Sequence, residues 1–124
     1  MIRYKEIAFT AYAVTNMKKA RKFYEGALGL KVARKFGDNF YEYDIGAGTV
    51  VVACAPEQWK PSKTGTTAAL EVADIDAAAK HLKKKRIKLA IPLRDFPSCR
   101  MFGVRDPDGN LICLHQRKKP AKKS

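Results

Sequence analysis

Val14-Thr15-Asn16-Met17-Lys18-Lys19-Ala20 decides the fold, because its pattern returns 58 positions later as Val72-Ala73-Asp74-Ile75-Asp76-Ala77-Ala78. The same spacing sets Tyr24 on Leu82 and Phe9 on Thr67. Self-similarity at a fixed period marks a repeated supersecondary unit. In each copy a strand-like run, 7–14 (IAFTAYAV) or 66–72 (TTAALEV), leads to a helix cap. Asn16 and Asp74 are those caps, since their side chains accept from the free amides of a first helical turn. The first helix sets Met17, Ala20, Phe23, Tyr24, Ala27 and Leu28 on one face, and Lys18, Lys19, Arg21 and Lys22 on the other. The second turns Ile75, Ala78, Ala79 and Leu82 inward and leaves Lys80, Lys83, Lys84, Lys85 and Arg86 mostly outside.

Three strand-like segments follow each helix: 30–36, 39–45 and 49–54 in the first copy, 87–92, 99–105 and 110–116 in the second. Asp106-Pro107-Asp108-Gly109-Asn110 is a turn between the last two, with Pro pre-set for the bend and Gly free to take positive φ. The unit is βαβββ, present twice. The chain divides into module one (6–54), a linker (55–65, APEQWKPSKTG), module two (66–116) and a basic tail (117–124). One copy alone would be a marginal sheet, so the two are expected to pack as a single domain over 1–124.

At 124 residues, 46% hydrophobic and 30% charged, the composition excludes wholesale disorder. No apolar run approaches the roughly 20 residues of a membrane span. With no export signal and an odd number of cysteines (Cys54, Cys99 and Cys113), free thiols and a cytoplasmic location are expected. The net charge is +13, of which the tail supplies five. Such a balance favours anionic partners, although the basic residues lack the aromatic interleaving of a single-strand groove.

Together these motifs resemble the vicinal oxygen chelate superfamily, the group of glyoxalase I, bleomycin resistance proteins and extradiol dioxygenases. The resemblance is carried by Val14-Thr15-Asn16-Met17 with Ala20, by Phe23-Tyr24-Glu25-Gly26-Ala27-Leu28-Gly29-Leu30, by Val72-Ala73-Asp74-Ile75-Asp76 and by Asp106-Pro107-Asp108-Gly109-Asn110. It covers about residues 6–116. It implies an α+β fold in which two βαβββ modules form a half-open curled sheet around a cavity, with the helices packed outside. It is weak for function, since that fold hosts isomerases, dioxygenases, thiol transferases and non-catalytic binders.

In metal-dependent members four strand residues hold a divalent ion. Carried over by spacing, those positions fall on Phe9, Thr67, Val51 and Cys113. A hard-ligand site needs carboxylates and imidazoles, so no metal and no cofactor are expected. The chain offers only two histidines. His81 matches Phe23 on the helix and is expected to be packed or half-exposed. His115 shares a strand face with Cys113, and the pair is half of a soft-metal site.

Strand alternation predicts the remaining cavity walls: Phe9, Ala11 and Ala13; Phe40, Glu42 and Asp44; Val51 and Ala53; then Thr67, Ala69, Glu71, Met101, Gly103, Cys113 and His115. Tyr41, Tyr43 and Ile45 are assigned to the opposite, core side. Glu42, Glu71 and His115 are the groups there suited to proton transfer, with a carboxylate of raised pKa facing a histidine as the arrangement to look for. Arg100, placed beside the cavity mouth, is a candidate clamp for an anion or a rim residue.

Three readings follow. The first is a metal-free binder of a small neutral or anionic molecule; a strongly basic chain is a poor match for cationic drugs. The alternative is a lyase, isomerase or thiol transferase using acid–base groups, or an unusual metal site with Cys113 and His115. The third is a basic module whose helices and tail bind nucleic acid, the least favoured. Open sheet edges and the resemblance also predict a homodimer, and no membrane partner. Arg86 stands where the resemblance puts a helix-closing glycine, so a left-handed backbone is expected there.

Overall fold

The computed structural model describes residues 1–124 except 2, 5, 58 and 119–124. It resolves into two units, Met1–Pro61 and Ser62–Ser124. The first holds β1 (Thr10–Ala13), α1 (Met17–Arg21), β2 (Lys31–Lys35), β3 (Phe40–Asp44) and β4 (Thr49–Ala53); the second holds β5 (Ala68–Glu71), α2 (Ile75–Lys84), β6 (Ile91–Asp95), β7 (Cys99–Arg105) and β8 (Leu111–Arg117). Each unit is one βαβββ module with an open four-stranded sheet, in the order β1-β4-β3-β2 or β5-β8-β7-β6. In both, the first strand pairs parallel with the last and the other pairs are antiparallel. The fold class is therefore α+β, as the repeat predicts.

Both caps form as expected. Asn16 Oδ1 accepts from the Lys19 amide and Asp74 Oδ1 from the Ala77 amide, each at 3.0 Å. The helices then differ. α2 is regular and closes at Arg86, whose φ of 61° is left-handed. The Arg86 amide bonds the Lys83 carbonyl and the Ile87 amide bonds that of Leu82, a Schellman ending. α1 instead runs directly into a π-helical segment, Lys22–Ala27, before Gly29 turns left-handed at φ 73°. The Leu28 amide bonds back five residues to Phe23, and the Leu30 amide six residues to Tyr24. Cap to closing residue is thus thirteen positions in module one and twelve in module two. A single extra residue is absorbed as a π turn, and the repeat spacing slips by one across the helix.

Inside that wide segment Phe23, Tyr24 and Ala27 are buried against the sheet. Tyr24 packs on Tyr12 and stacks on Tyr43, with ring centroids 6.1 and 6.3 Å apart. Glu25 reaches over to accept the Tyr43 hydroxyl at 2.8 Å while taking both Nε and Nη2 of Arg21. Burial drives the Glu25 carboxyl upward, but the hydrogen bonds from Arg21 and Tyr43 more than offset it and leave it below its ordinary value. Burial, followed by the bond to Glu25, pushes the Tyr43 phenol up.

The Asp106–Asn110 turn is a buried polar knot. Asp106 accepts from the amides of Asp108 and Asn110 and from the Asn110 side chain. Asn110 Oδ1 accepts the Ser62 amide, and Arg105 donates to the Lys63 and Gly109 carbonyls. The turn thereby fastens the end of the linker to module two.

Three strand expectations need correction. β6 occupies Ile91–Asp95 and not 87–92, because the helix-closing turn uses Arg86 and Ile87 and the strand starts only where Ile91 meets Gly103. β8 continues through Arg117, since the Arg117 amide donates to Glu71 and the Lys118 amide to the Ser98 carbonyl. The basic tail therefore begins docked; its remainder, 119–124, lies outside the described residues. Ile45 is exposed and not on the core side, because β3 ends at Asp44.

Candidate functional site

Registered neighbours in a sheet share a face, so the pairing sorts the side chains. In module two, Leu70, Phe102 and Leu114 form one row, and they lie on the side toward α2, with Arg100 and Gln116 beside them. The Gln116 side chain accepts the Ile75 amide at the start of α2. The other face carries two rows: Ala69, Cys113, Gly103 and Ile91, then Glu71, His115, Met101 and Arg94. Ala69, Glu71, Met101, Gly103, Cys113 and His115 thus share one face of one sheet.

Glu71 and His115, adjacent across β5 and β8, meet directly. His115 Nδ1 lies 2.6 Å from Glu71 Oε1. The second carboxylate oxygen accepts the Arg117 amide at 2.7 Å. That amide first, and His115 second, hold the Glu71 carboxyl below the usual glutamate range. Glu71 is therefore an anchor that orients an imidazole and not a carboxylate of raised pKa; the reversal arises because the Arg117 amide, invisible to a strand-alternation argument, also donates to this carboxylate. His115 Nε2 makes no hydrogen bond to the described residues.

Arg100 is also corrected. It stands on the α2 side of β7 and grips Asp76 through both terminal nitrogens at 2.8 and 3.0 Å, so it faces away from His115. The cation on the His115 face is Arg94, exposed at the edge of the sheet and opposite Met101. It lies in the part of β6 beyond the expected 87–92. Gly103 is covered: a Cβ there would lie 3.1–3.2 Å from Leu111 and Ile91 side chains. Cys113 is buried in the centre of the face.

Module one repeats the arrangement with different chemistry. Ala11, Val51, Glu42 and Arg34 form one row, and Ala13, Ala53 and Phe40 the next, opposite the face where Tyr12, Tyr41 and Tyr43 meet the helix. Glu42 pairs with Arg34 at 3.7 Å. Phe9 and Thr67 fall just before β1 and β5; Phe9 is exposed, and the Thr67 hydroxyl is spent on the Leu111 carbonyl. His81 is exposed on α2.

Phe9 and Val51 carry no donor atom, so these residues do not fit a divalent-ion centre. Among the described residues no group of three or more His, Cys, Asp or Glu could hold a metal. No helix among them is long and apolar enough to cross a membrane.

Solved structures share this architecture. A glyoxalase family protein from Bacillus anthracis matches with a TM-score of 0.80 at 24% identity, over 95% of this chain and 100% of its own. TnmS3, an antibiotic binding protein from Streptomyces sp. CB03234, matches at 0.79 and 20% identity, over 95% and 100%. A lactoylglutathione lyase from Agrobacterium tumefaciens matches at 0.76 and 16%, over 92% and 95%. At these identities the likeness is one of fold. Among curated proteins none matches significantly. A family model spans residues 6–114, from before β1 into β8, and takes in both βαβββ modules; the chain belongs to the Glyoxalase/Bleomycin resistance protein/Dioxygenase superfamily.

Proposed function

We infer that the chain binds a small neutral or anionic organic molecule, without a metal, on the module-two face built from Ala69, Glu71, Arg94, Met101, Cys113 and His115. The observation that carries this reading is the Glu71–His115 pair, an oriented imidazole beside the buried Cys113 and the half-buried Met101. Apolar surface with a few fixed polar groups is the usual character of a small-molecule site. Arg94 and the net charge of +13 bias it against cations. One structural neighbour is an antibiotic binding protein, which supports sequestration as a use of this fold.

The test is native mass spectrometry and elemental analysis of freshly purified protein. A non-covalent organic adduct should be present, and Ala69→Trp, at an exposed position on the same face, should remove it without unfolding the chain. About one Zn, Fe, Mn or Ni per chain, or an adduct indifferent to Ala69→Trp, overturns the reading.

The same pair supports a second reading, a metal-free lyase or isomerase. Glu71 fixes Nδ1 and leaves Nε2 to move a proton, the arrangement of a general base. Turnover of 2-oxoaldehyde–thiol adducts that is lost in His115→Gln while adduct binding persists would favour it. Equal turnover in His115→Gln excludes it.

A further inference from the structure

The densest charge on the described chain lies away from that face. Lys80, Lys83, Lys84, Lys85, Arg86 and Lys88 fall within nine positions on and just past α2, all exposed. From Ala77 through Arg94 there is no Asp or Glu. Five of the six acids of module two are engaged with other groups. Asp74 caps α2, Asp76 holds Arg100, Glu71 holds His115 and the Arg117 amide, Asp95 pairs with Lys118, and Asp106 organises its turn. Asp76, four positions before Lys80, is the acid nearest to that lysine in sequence. Among the described residues Lys83, Lys84, Lys85, Arg86 and Lys88 form no ion pair.

This arrangement is unfavourable in two independent ways. A helix C-terminus welcomes one or two cations, but Lys80 and Lys84 stand four apart and repel, with further cations crowded behind them. In addition, Arg86 occupies a left-handed position where glycine is the unstrained residue. Strain and repulsion retained at one place point to a use for the charge.

The shape says what it fits. Lys83, Lys84, Lys85 and Arg86 are consecutive, so helical geometry fans them around the helix end and they do not converge on one small anion. At helical spacing, about 5–6 Å between neighbours, they suit a line of phosphates. A lipid-surface helix would need an apolar face turned outward, whereas Ile75 and Leu82 of α2 are buried. We propose that the C-terminal half of α2 and its left-handed ending bind the phosphate backbone of nucleic acid.

The experiment measures binding of a mixed-sequence DNA duplex by fluorescence anisotropy, using the full chain and a chain ending at Lys118. Contact with about four phosphates should lower affinity on the order of a hundredfold between about 50 and 200 mM salt. Lys83→Glu with Lys84→Glu should weaken binding at least tenfold and flatten the salt slope. Arg86→Gly should weaken it severalfold while raising the melting temperature, which separates lost binding from lost folding. The proposal is overturned if either variant binds like wild type. It is equally overturned if removal of 119–124 alone abolishes binding, or if vesicles of anionic lipid bind as tightly as the duplex.

Discussion

Gly29 and Arg86 take the same left-handed conformation, φ 73° and 61°, at the ends of the two helices. One is the residue that adopts it freely; the other is not. Arg86→Gly should stabilise the chain by about 1 kcal/mol, and Gly29→Ala should destabilise it by a similar amount. Urea denaturation of both variants checks the pair; a loss of stability in Arg86→Gly contradicts it.

The Glu25 carboxylate ties the π segment to β3. Removing its phenol partner in Tyr43→Phe should cost about 1–2 kcal/mol, since a part-buried charge loses a hydrogen bond. Because the folded-state value of Glu25 is depressed, its contribution is complete above the ordinary glutamate value of about 4.3. It is lost as pH falls through the lower folded value. Stability measured from pH 6 down to pH 3 should accordingly fall less steeply in Glu25→Gln than in wild type.

Asp106 is 5% exposed and accepts from the Asp108 and Asn110 amides and from the Asn110 side chain. Asp106→Ala leaves two amides and a side-chain nitrogen without their acceptor, and should cost about 3 kcal/mol. Thermal melts should show one of the largest losses of any single substitution outside the apolar core.

Truncation should have a sharp boundary. Ending the chain at Lys118 keeps every contact that Arg117 and Lys118 make, and the melting temperature should not change. Ending it at Gln116 removes the Arg117 amide from Glu71, the Lys118 amide from Ser98 and the pairing with Asp95. That shorter chain should lose about 1–2 kcal/mol. Equal melts for the two truncations would place the docked segment elsewhere.

β1 and β5 stand at the edges of their four-stranded sheets, and edge strands offer ladder groups for another chain to pair with. Sedimentation at micromolar concentration should give close to twice 13.9 kDa. A value near the single-chain mass rules out the dimer.

What the sequence made legible is what local chemistry decides. Asn16 and Asp74 announce their caps and Asp106–Asn110 its turn, because each depends on side chains within a few positions; the left-handed backbone at Arg86 was expected only from the family resemblance. Alternation paired Cys113 with His115 and placed Tyr41 with Tyr43 because β8 and β3 are regular. The π segment was not legible: Lys22–Ala27 is a good helix by composition, and the extra residue appears only when the two closing positions are compared. Arg94 was not legible because the extent of β6 depends on pairing with β7 across a bulge, a long-range event, whereas Arg100 stands on the α2 face through its β7–β8 register with Gln116. The Arg117 amide was invisible because a backbone donor has no sequence signature.

The wide turn at Lys22–Ala27 also makes the two halves non-interchangeable parts. Grafting 74–86 in place of 16–29 would deliver a helix one residue short. Such a helix lacks the wide turn, and with it the ring that packs between Tyr12 and Tyr43 and the carboxylate that holds the Tyr43 hydroxyl. Replacing a helix of one half with its twin therefore exchanges a wide turn that reaches across to β3 for a regular one that carries no such group.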